Sequence, residues 1–213
     1  MGYYQNCCTF VYMNDLNKSN IKWSENVIIA DADYIDKVAF NLIVNFERMI
    51  DRRIPPADIS RWAVDIALDG GMREGDHETQ IILIHDRDHS KLDNFKPSVY
   101  DSELNGKAFK DPKLGEFIWT SISTENIISK NDLFLEIVKE IASQKTVRRI
   151  MIIPNAEDGD QYDRIRRTFE YIDDDSKHVT VFSMEPVPGG NFRQEILGYS
   201  LMNALGIHAD ELQ

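Results

Sequence analysis

Short apolar runs alternate with amphipathic stretches along most of the chain, and this alternation restricts the fold more than any other feature. Each run is continuously apolar, as expected of a strand buried on both faces, rather than apolar at every second position. Because strands that alternate with helices form parallel sheets through right-handed crossovers, we expect an α/β fold. The predicted strands lie at 27–30, 81–84, 117–122, 150–153 and 179–182.

The sequence therefore predicts a three-layer α/β/α sandwich around a mainly parallel sheet of about five strands. We expect the strand order 3-2-1-4-5, with the first strand in the centre. Asp58 is the expected N-cap of the second helix, and Gly70 and Gly71 are expected to end it. Segment 86–115 has no clear periodicity, so it is either functional or contains short elements. The predicted helices lie at 36–51, 58–68, 131–144, 160–172 and 192–205.

Composition limits the classes of partner and compartment. The chain carries 24 Lys and Arg against 36 Asp and Glu, a net charge of −12, which argues against broad contact with nucleic-acid backbones or anionic membranes. No apolar run is long enough to span a bilayer, and no signal peptide is visible. The adjacent Cys7 and Cys8 are expected to be free thiols. We expect a cytoplasmic protein with an N-terminal arm at 1–25, in which 10–13 could form an edge strand, and one domain at 26–213.

Acidic residues follow at least three of the predicted strands, and Asp86 is the acid that follows the second strand. Asp31 and Asp33 follow the first strand, and Asp158 and Asp160 follow the fourth. Ligands of open α/β sheets bind beyond the carboxyl ends of the strands, so we expect these acids to line one cleft. Converging carboxylates need a counter-cation, and Mg²⁺ or Mn²⁺ prefers carboxylate oxygens. The alternative hypothesis is that acids such as Asp33 and Asp160 simply cap helices.

Two further groups of side chains are weaker candidates. Asp65 and Asp69 lie one turn apart on the predicted second helix, where they form either part of a metal site or a solvated face. His85 and His89 flank two aspartates in the loop after the second strand. That loop is either a His-containing metal site or an ordinary polar loop.

The spacing of these acids resembles that of PIN-like ribonuclease domains, including the NYN branch. In this resemblance Asp31 matches the first-strand acid, Asp65 or Asp69 the helix acid, and Asp158 with Asp160 the late pair. The resemblance implies that the acids hold Mg²⁺ or Mn²⁺ for phosphodiester hydrolysis, with Asp31, Asp158 and Asp160 as the catalytic residues. The predicted metal ligands are Asp31, Asp33, Asp65, Asp69, Asp158 and Asp160.

The chain departs from the PIN-like pattern at three places. Tyr34 stands near the position of an Asn that the family carries soon after its first acid. The aromatic residue that follows the late pair is displaced to Tyr162. Segment 86–115 is a long insertion relative to the family.

The first strand also resembles motif one of the haloacid-dehalogenase-like phosphatases, because four apolar residues precede Asp31 and one residue separates it from Asp33. This resemblance implies that Asp31 is the nucleophile and Asp33 the general acid and base. Ile35 stands where a Thr is usual, and no later Lys can be assigned to the motif. The acids at 173–175 lie at the end of a predicted helix rather than after a strand.

We therefore expect a Mg²⁺- or Mn²⁺-dependent phosphoesterase or ribonuclease of PIN-like or NYN-like type, acting on RNA or a phosphorylated small molecule. The alternative is a non-catalytic interaction or regulatory protein with a PIN-like fold, whose acids are helix caps and solvated groups. A haloacid-dehalogenase-like phosphatase is the third hypothesis.

The last predicted helix, 192–205, carries apolar residues around most of its circumference. Asn191 and Gln194 have the spacing of a capping box at its start. A helix that is apolar on nearly all sides is buried by the core or by a partner chain. We predict a two-fold homodimer with this helix at the interface and with Tyr199 and Met202 as contact residues.

Overall fold

A computed structural model describes residues 22–125, 127–155, 157, 159–170 and 176–212. The strands of these residues are β1 (Asn26–Asp31), β2 (Ala57–Asp58), β3 (His77–His85), β4 (Phe95–Lys96), β5 (Ala108–Asp111), β6 (Gly115–Ser123), β7 (Arg149–Ile153), β8 (His178–Ser183) and β9 (Arg193–Ile196). The α-helices are α1 (Ala32–Ile50), α2 (Ile59–Asp69), α3 (Lys130–Ser143), α4 (Gln161–Glu170) and α5 (Leu197–Ala204). A π-helical turn spans Tyr100–Leu104, and a 3-10 turn spans Ala209–Leu212.

Seven of the described strands form a mixed, mostly parallel sheet in the order β5-β6-β3-β1-β7-β8-β9. The five predicted strands are β1, β3, β6, β7 and β8, and they lie in the predicted order with β1 central. The prediction of about five strands is too low, because the sheet has seven in the described residues. The additional strands are β5, which is antiparallel to β6, and β9, which is parallel to β8. β2 and β4 form a separate parallel pair.

Side chains along the central strands alternate between two apolar clusters, as strand geometry requires. In β1, Ile28 and Ala30 belong to a cluster that includes residues of α1, α2 and α5. Val27 and Ile29 belong to a second cluster that includes residues of α3 and α4. The sheet therefore has a buried core on each face, in agreement with the predicted layers.

The first helix begins earlier than predicted, because Asp31 is itself the N-cap. Its Oδ1 accepts a hydrogen bond of 2.9 Å from the backbone N–H of Tyr34, so α1 starts immediately after β1. The prediction that Asp58 caps the second helix is confirmed, since its carboxylate accepts from the backbone N–H groups of Ser60 and Arg61. The helix ends as predicted at Gly70, followed by Gly71 with φ at 81°.

The prediction of one helix at 192–205 is wrong in its first part. Residues Arg193–Ile196 form strand β9, which extends the sheet beyond β8, and α5 starts only at Leu197. The predicted capping box is absent: Gln194 Nε2 instead donates to the carbonyl of Val187 at 2.8 Å. Hydrogen bonding to the free edge of β8 outweighs the helical periodicity here.

Segment 86–115 contains short elements, one of the two alternatives that its length predicts. These are β4, the π-helical turn and β5. The predicted strand at 10–13 and both cysteines lie outside the described residues. In the described end of the predicted arm, Trp23 packs against the core beside α3 and α4, and Ser24 Oγ donates to Glu78 at 2.7 Å. Within the described part of the chain, none of the helices combines the length and apolar character needed to cross a membrane.

Candidate functional site

Three carboxylates from the ends of β1 and β3 converge on one ammonium group. Lys130 Nζ lies 3.0 Å from Asp31 Oδ1, 2.6 Å from Asp33 Oδ2 and 3.3 Å from Asp86 Oδ2. Asp31 ends β1, Asp33 lies in the first turn of α1, and Asp86 directly follows β3. Because β1 and β3 are parallel neighbours, their carboxyl ends bring these acids to the same edge of the sheet. We call Asp31, Asp33, Asp86, His89 and Lys130 the acid–lysine cluster.

Asp31 is the most deeply placed member of the acid–lysine cluster, with 1% of its surface exposed. Its Oδ1 accepts from the backbone N–H of Tyr34 and also faces Lys130. Burial raises the pKa of Asp31 above its usual range, and the positive charge of Lys130 only partly offsets that effect. Lys130 therefore favours the charged form of Asp31.

Asp33 is held by groups from three parts of the chain. Its Oδ2 accepts from the backbone N–H of Asp86 at 2.8 Å and from Lys130, and His89 Nδ1 lies 2.5 Å from its Oδ1. Burial by itself raises the pKa of Asp33, but the hydrogen bonds from Lys130 and His89 outweigh it and hold that pKa below its usual value. The same contact raises the pKa of His89. Asp33 is thus an anion paired with a histidine that protonates readily.

Lys130 is the first residue of α3, and its side chain is only 15% exposed. The preceding Ser129 caps the helix by accepting from the backbone N–H of Asp132, which fixes where α3 begins. Burial would lower the pKa of Lys130, but the charges of Asp31 and Asp33 outweigh burial and raise it to about 12. Lys130 therefore remains a cation across the physiological pH range.

The acid–lysine cluster also offers a set of metal ligands. Asp33, Asp86 and His89 present ligand atoms that all lie within 4.8 Å of one another. Two carboxylates and an imidazole suit Mn²⁺, and the carboxylates suit Mg²⁺. Lys130 already contacts both carboxylates, so a divalent ion would compete with its ammonium group. Three carboxylates still outnumber the cations Lys130 and protonated His89, and this residual negative charge attracts a cation.

Two aromatic rings border the acid–lysine cluster. Tyr100 stacks on His85 with ring centroids 3.8 Å apart and an angle of 6° between the planes. Burial, together with the charges of Asp33, Asp36 and Asp31, raises the pKa of Tyr100. The phenol is therefore protonated throughout the physiological range. His85 Nδ1 lies 3.0 Å from the carbonyl oxygen of Asp86, which fixes the ring beside the turn after β3.

The structure brings together only some of the predicted site residues. Asp31 and Asp33 belong to the cluster, whereas Asp160 is exposed in the turn before α4, where its carbonyl accepts from the backbone N–H of Arg164. Asp158 lies outside the described residues. Of the four acids predicted to line one cleft, the described structure therefore brings together only Asp31 and Asp33.

The structure does not bring Asp65 and Asp69 close to Asp31, because α2 runs away from the carboxyl ends of the strands toward their amino ends. Asp65 accepts from Asn203 Nδ2 at 2.6 Å. Asp69 ends α2, and the next carbonyl, that of Gly70, accepts from Arg149 at the amino end of β7. Burial raises the pKa values of both acids, and the charge of Glu195 adds to the effect on Asp69. These two acids therefore form a separate group.

Sequence reasoning left Lys130 unassigned and treated the loop of Asp86 and His89 as a weak candidate. A lysine at the start of an amphipathic helix has the pattern of a solvated residue. The available signal is topological: α3 follows the strand beside β3, so its first residue must stand at the carboxyl edge.

Comparison with known proteins gives a family but no activity. Residues 20–212 match the family described as "Family of unknown function (DUF6621)". No curated protein matches the chain. No solved structure matches it either. The function therefore has to be inferred from the site itself.

Proposed function

Because the chain belongs to this family of unknown function, the chemistry of its site is the starting point, and we propose that it is a divalent-metal-dependent phosphoesterase. The observation that carries the proposal is the pair Asp31 and Asp33 sharing Lys130 at the carboxyl edge of the sheet. Mg²⁺ or Mn²⁺, held by the carboxylates of Asp33 and Asp86, would neutralise the charge on a phosphoryl group. The cluster thus combines a deep carboxylate, a cation and a place for a metal.

Of the two families that the sequence resembles, the haloacid-dehalogenase-like phosphatases agree better with this arrangement. That resemblance needs a lysine near its first aspartate, and Lys130 lies 3.0 Å from Asp31. The PIN-like resemblance needs a helix acid near Asp31, and Asp65 and Asp69 lie elsewhere. We therefore favour a phosphorylated small molecule over RNA as the substrate, in keeping with the net charge of −12.

The residues then take the following roles. An oxygen of Asp31 attacks phosphorus, the bond from phosphorus to the leaving oxygen breaks, and a water later releases phosphate from Asp31. Lys130 keeps Asp31 ionised and offsets the charge that repels the substrate. Asp33 is ionised in the folded protein, so the proton for the leaving oxygen comes through its contact with His89. Asp31 is almost fully hidden, so the side chains that cover it must move for the reaction.

The test is hydrolysis of three substrates, each with Mg²⁺ or Mn²⁺: p-nitrophenyl phosphate, bis-p-nitrophenyl phosphate and single-stranded RNA. We expect turnover of the monoester, and a loss of about 100-fold or more in Asp31→Asn. Asp65→Asn is the matched control, because it changes an acid outside the cluster, and it should retain activity. Cleavage of RNA or the diester alone would instead support the PIN-like ribonuclease.

A non-catalytic role is the second candidate, and one observation favours it. Lys130 contacts all three carboxylates and His89 pairs with Asp33, so these two cations offset most of the negative charge of the cluster without any metal. In that case the cluster has a structural role, holding α3 against the ends of β1 and β3. The protein would then act by binding a partner through its surface. Folded protein that hydrolyses none of the three substrates and gains no thermal stability from millimolar Mn²⁺ would establish this role over the phosphoesterase.

We also propose a two-fold homodimer through α5. Tyr199 is 71% exposed on this helix, and Leu68 is exposed on the neighbouring α2. Exposed large apolar side chains on packed helices are typical of interfaces. Light scattering of wild type should report a dimer, and Tyr199→Glu should give the monomer.

A further inference from the structure

The hydroxyl group of Tyr100 is a buried donor without an acceptor. Tyr100 is 1% exposed, and its oxygen has no hydrogen-bond partner among the residues that the structure describes. A buried polar group left unpaired is unfavourable, so such groups in folded proteins call for an explanation. The position of Tyr100 beside the acid–lysine cluster provides one.

Two contacts hold the phenol in place. Its ring stacks on His85, which ends β3 just before Asp86. Its backbone N–H donates to the carbonyl of Ser90 at 3.1 Å, next to His89. Tyr100 is therefore anchored to the same loop that supplies Asp86 and His89 to the cluster.

The charges around the phenol define what it can bind. Asp33, Asp36 and Asp31 are close enough for their negative charges to act on the hydroxyl, which therefore keeps its proton and remains able to donate a hydrogen bond. Asp36 is already occupied, since it accepts from the backbone N–H and the side chain of Asn94. Asp33 is occupied by Lys130, His89 and the N–H of Asp86. A ligand oxygen is the acceptor that this environment lacks.

We propose that the Tyr100 hydroxyl donates a hydrogen bond to an oxygen of the phosphate group bound at the acid–lysine cluster, an inference that rests on the proposed phosphoesterase function. Asp31 and the Tyr100 hydroxyl are equally hidden from solvent. The charges of Asp31 and Asp33 act on Tyr100, so the phenol lies near these carboxylates, and an opening that admits a phosphoryl group to Asp31 places its oxygens near the phenol. Tyr100 is a substrate-binding residue supplied by segment 86–115.

The experiment compares Tyr100→Phe with wild type by thermal unfolding and by calorimetric titration of inorganic phosphate in the presence of Mn²⁺. Without ligand, Tyr100→Phe should melt at the same temperature as wild type or higher, because no hydrogen bond is lost. The Kd for phosphate should rise about tenfold or more, the usual effect of losing a hydrogen bond to a charged acceptor. The monoester KM should rise in parallel.

Tyr162→Phe is the matched control. The Tyr162 hydroxyl donates to the carbonyl of Pro188 at 2.7 Å, so its removal breaks a satisfied bond. This variant should melt at a lower temperature than wild type and bind phosphate with unchanged affinity. Both variants remove a phenol oxygen. Tyr100→Phe should weaken phosphate binding without loss of stability, and Tyr162→Phe should lower stability without loss of phosphate binding.

Two results would overturn the inference while leaving the phosphoesterase intact. One is unchanged phosphate affinity in Tyr100→Phe. The other is a lowered melting temperature of that variant without ligand, which would show that the hydroxyl serves a buried water. If wild type itself binds no phosphate with Mn²⁺ and hydrolyses no ester, the proposed function and this inference both fall.

Discussion

Two aspartate pairs that the sequence predicts as metal ligands, Asp31 with Asp33 and Asp65 with Asp69, have very different surroundings. Asp31 and Asp33 stand where a strand becomes a helix, and both contact Lys130. Asp65 and Asp69 stand on the side of α2, where Asp65 contacts the neutral amide of Asn203. The comparison teaches that carboxylates become a site when chain topology gives them a shared cation, rather than when they are merely close in sequence.

The largest expected effect comes from removing that cation. Lys130→Met leaves Asp31 buried beside Asp33 and Asp86 without a counter-charge. We expect the free energy of unfolding at neutral pH to fall by about 3–5 kcal/mol, as for other buried pairs that lose one partner. Urea unfolding followed by circular dichroism measures the change. A loss below about 1 kcal/mol would mean that the cluster does not stabilise the fold.

The next prediction concerns His89, whose contact with Asp33 raises its pKa above 6.5. A raised pKa means that protonated His89 stabilises the folded state. This contribution is complete below pH 6.5 and disappears as the pH rises through the raised pKa. The side chain is largely exposed, so we expect less than about 1 kcal/mol.

Unfolding free energies of wild type and His89→Gln, measured at several pH values, should therefore converge as the pH rises. Asp33→Asn removes the partner and should abolish that convergence. A difference between wild type and His89→Gln that is constant with pH would contradict the predicted ion pair.

The smallest effect is expected in the second acidic pair. Burial and the charges of Glu195 and Asp65 raise the pKa of Asp69 above 3.8, so its ionised form reduces folded-state stability at neutral pH. Asp69→Asn should leave stability unchanged or raise it by up to about 0.5 kcal/mol. The free energy of unfolding of Asp33→Asn, measured in the same way, should be lower than that of wild type. Equal effects of Asp69→Asn and Asp33→Asn would contradict the proposed difference between the two aspartate pairs.

The central strands were predictable because each is a continuous apolar run, and the connection rules for parallel sheets restrict their possible orders to a few. The two edge strands were not, for a physical reason. Edge strand β9 reads Arg-Gln-Glu-Ile and forms by pairing with β8, a long-range contact that no local pattern records. The helix α5 begins directly after β9 at Leu197, so the helical pattern of apolar residues was predicted to start too early and to include the strand.

Within the site, Asp31 and Asp33 were predictable from their place after β1, and the pattern of the loop drew attention to His89. Lys130 could not be assigned, because 97 residues separate it from Asp33 and its helix has an ordinary solvated face. Only the fold brings its ammonium to the acids. The position of Tyr100 in segment 86–115 likewise depends on tertiary packing against β3 and α1.

Asp31 is at once the final residue of the central strand and the cap of α1, and this double position has a consequence for hydrogen exchange. The N–H of Tyr34 is held by the carboxylate itself, at the joint between the most buried strand and the longest helix of the described residues. Local opening of that joint would separate β1 from α1 and disrupt the core. The Tyr34 amide should therefore exchange with solvent only as fast as the whole domain unfolds, so the site and the core form a single cooperative unit.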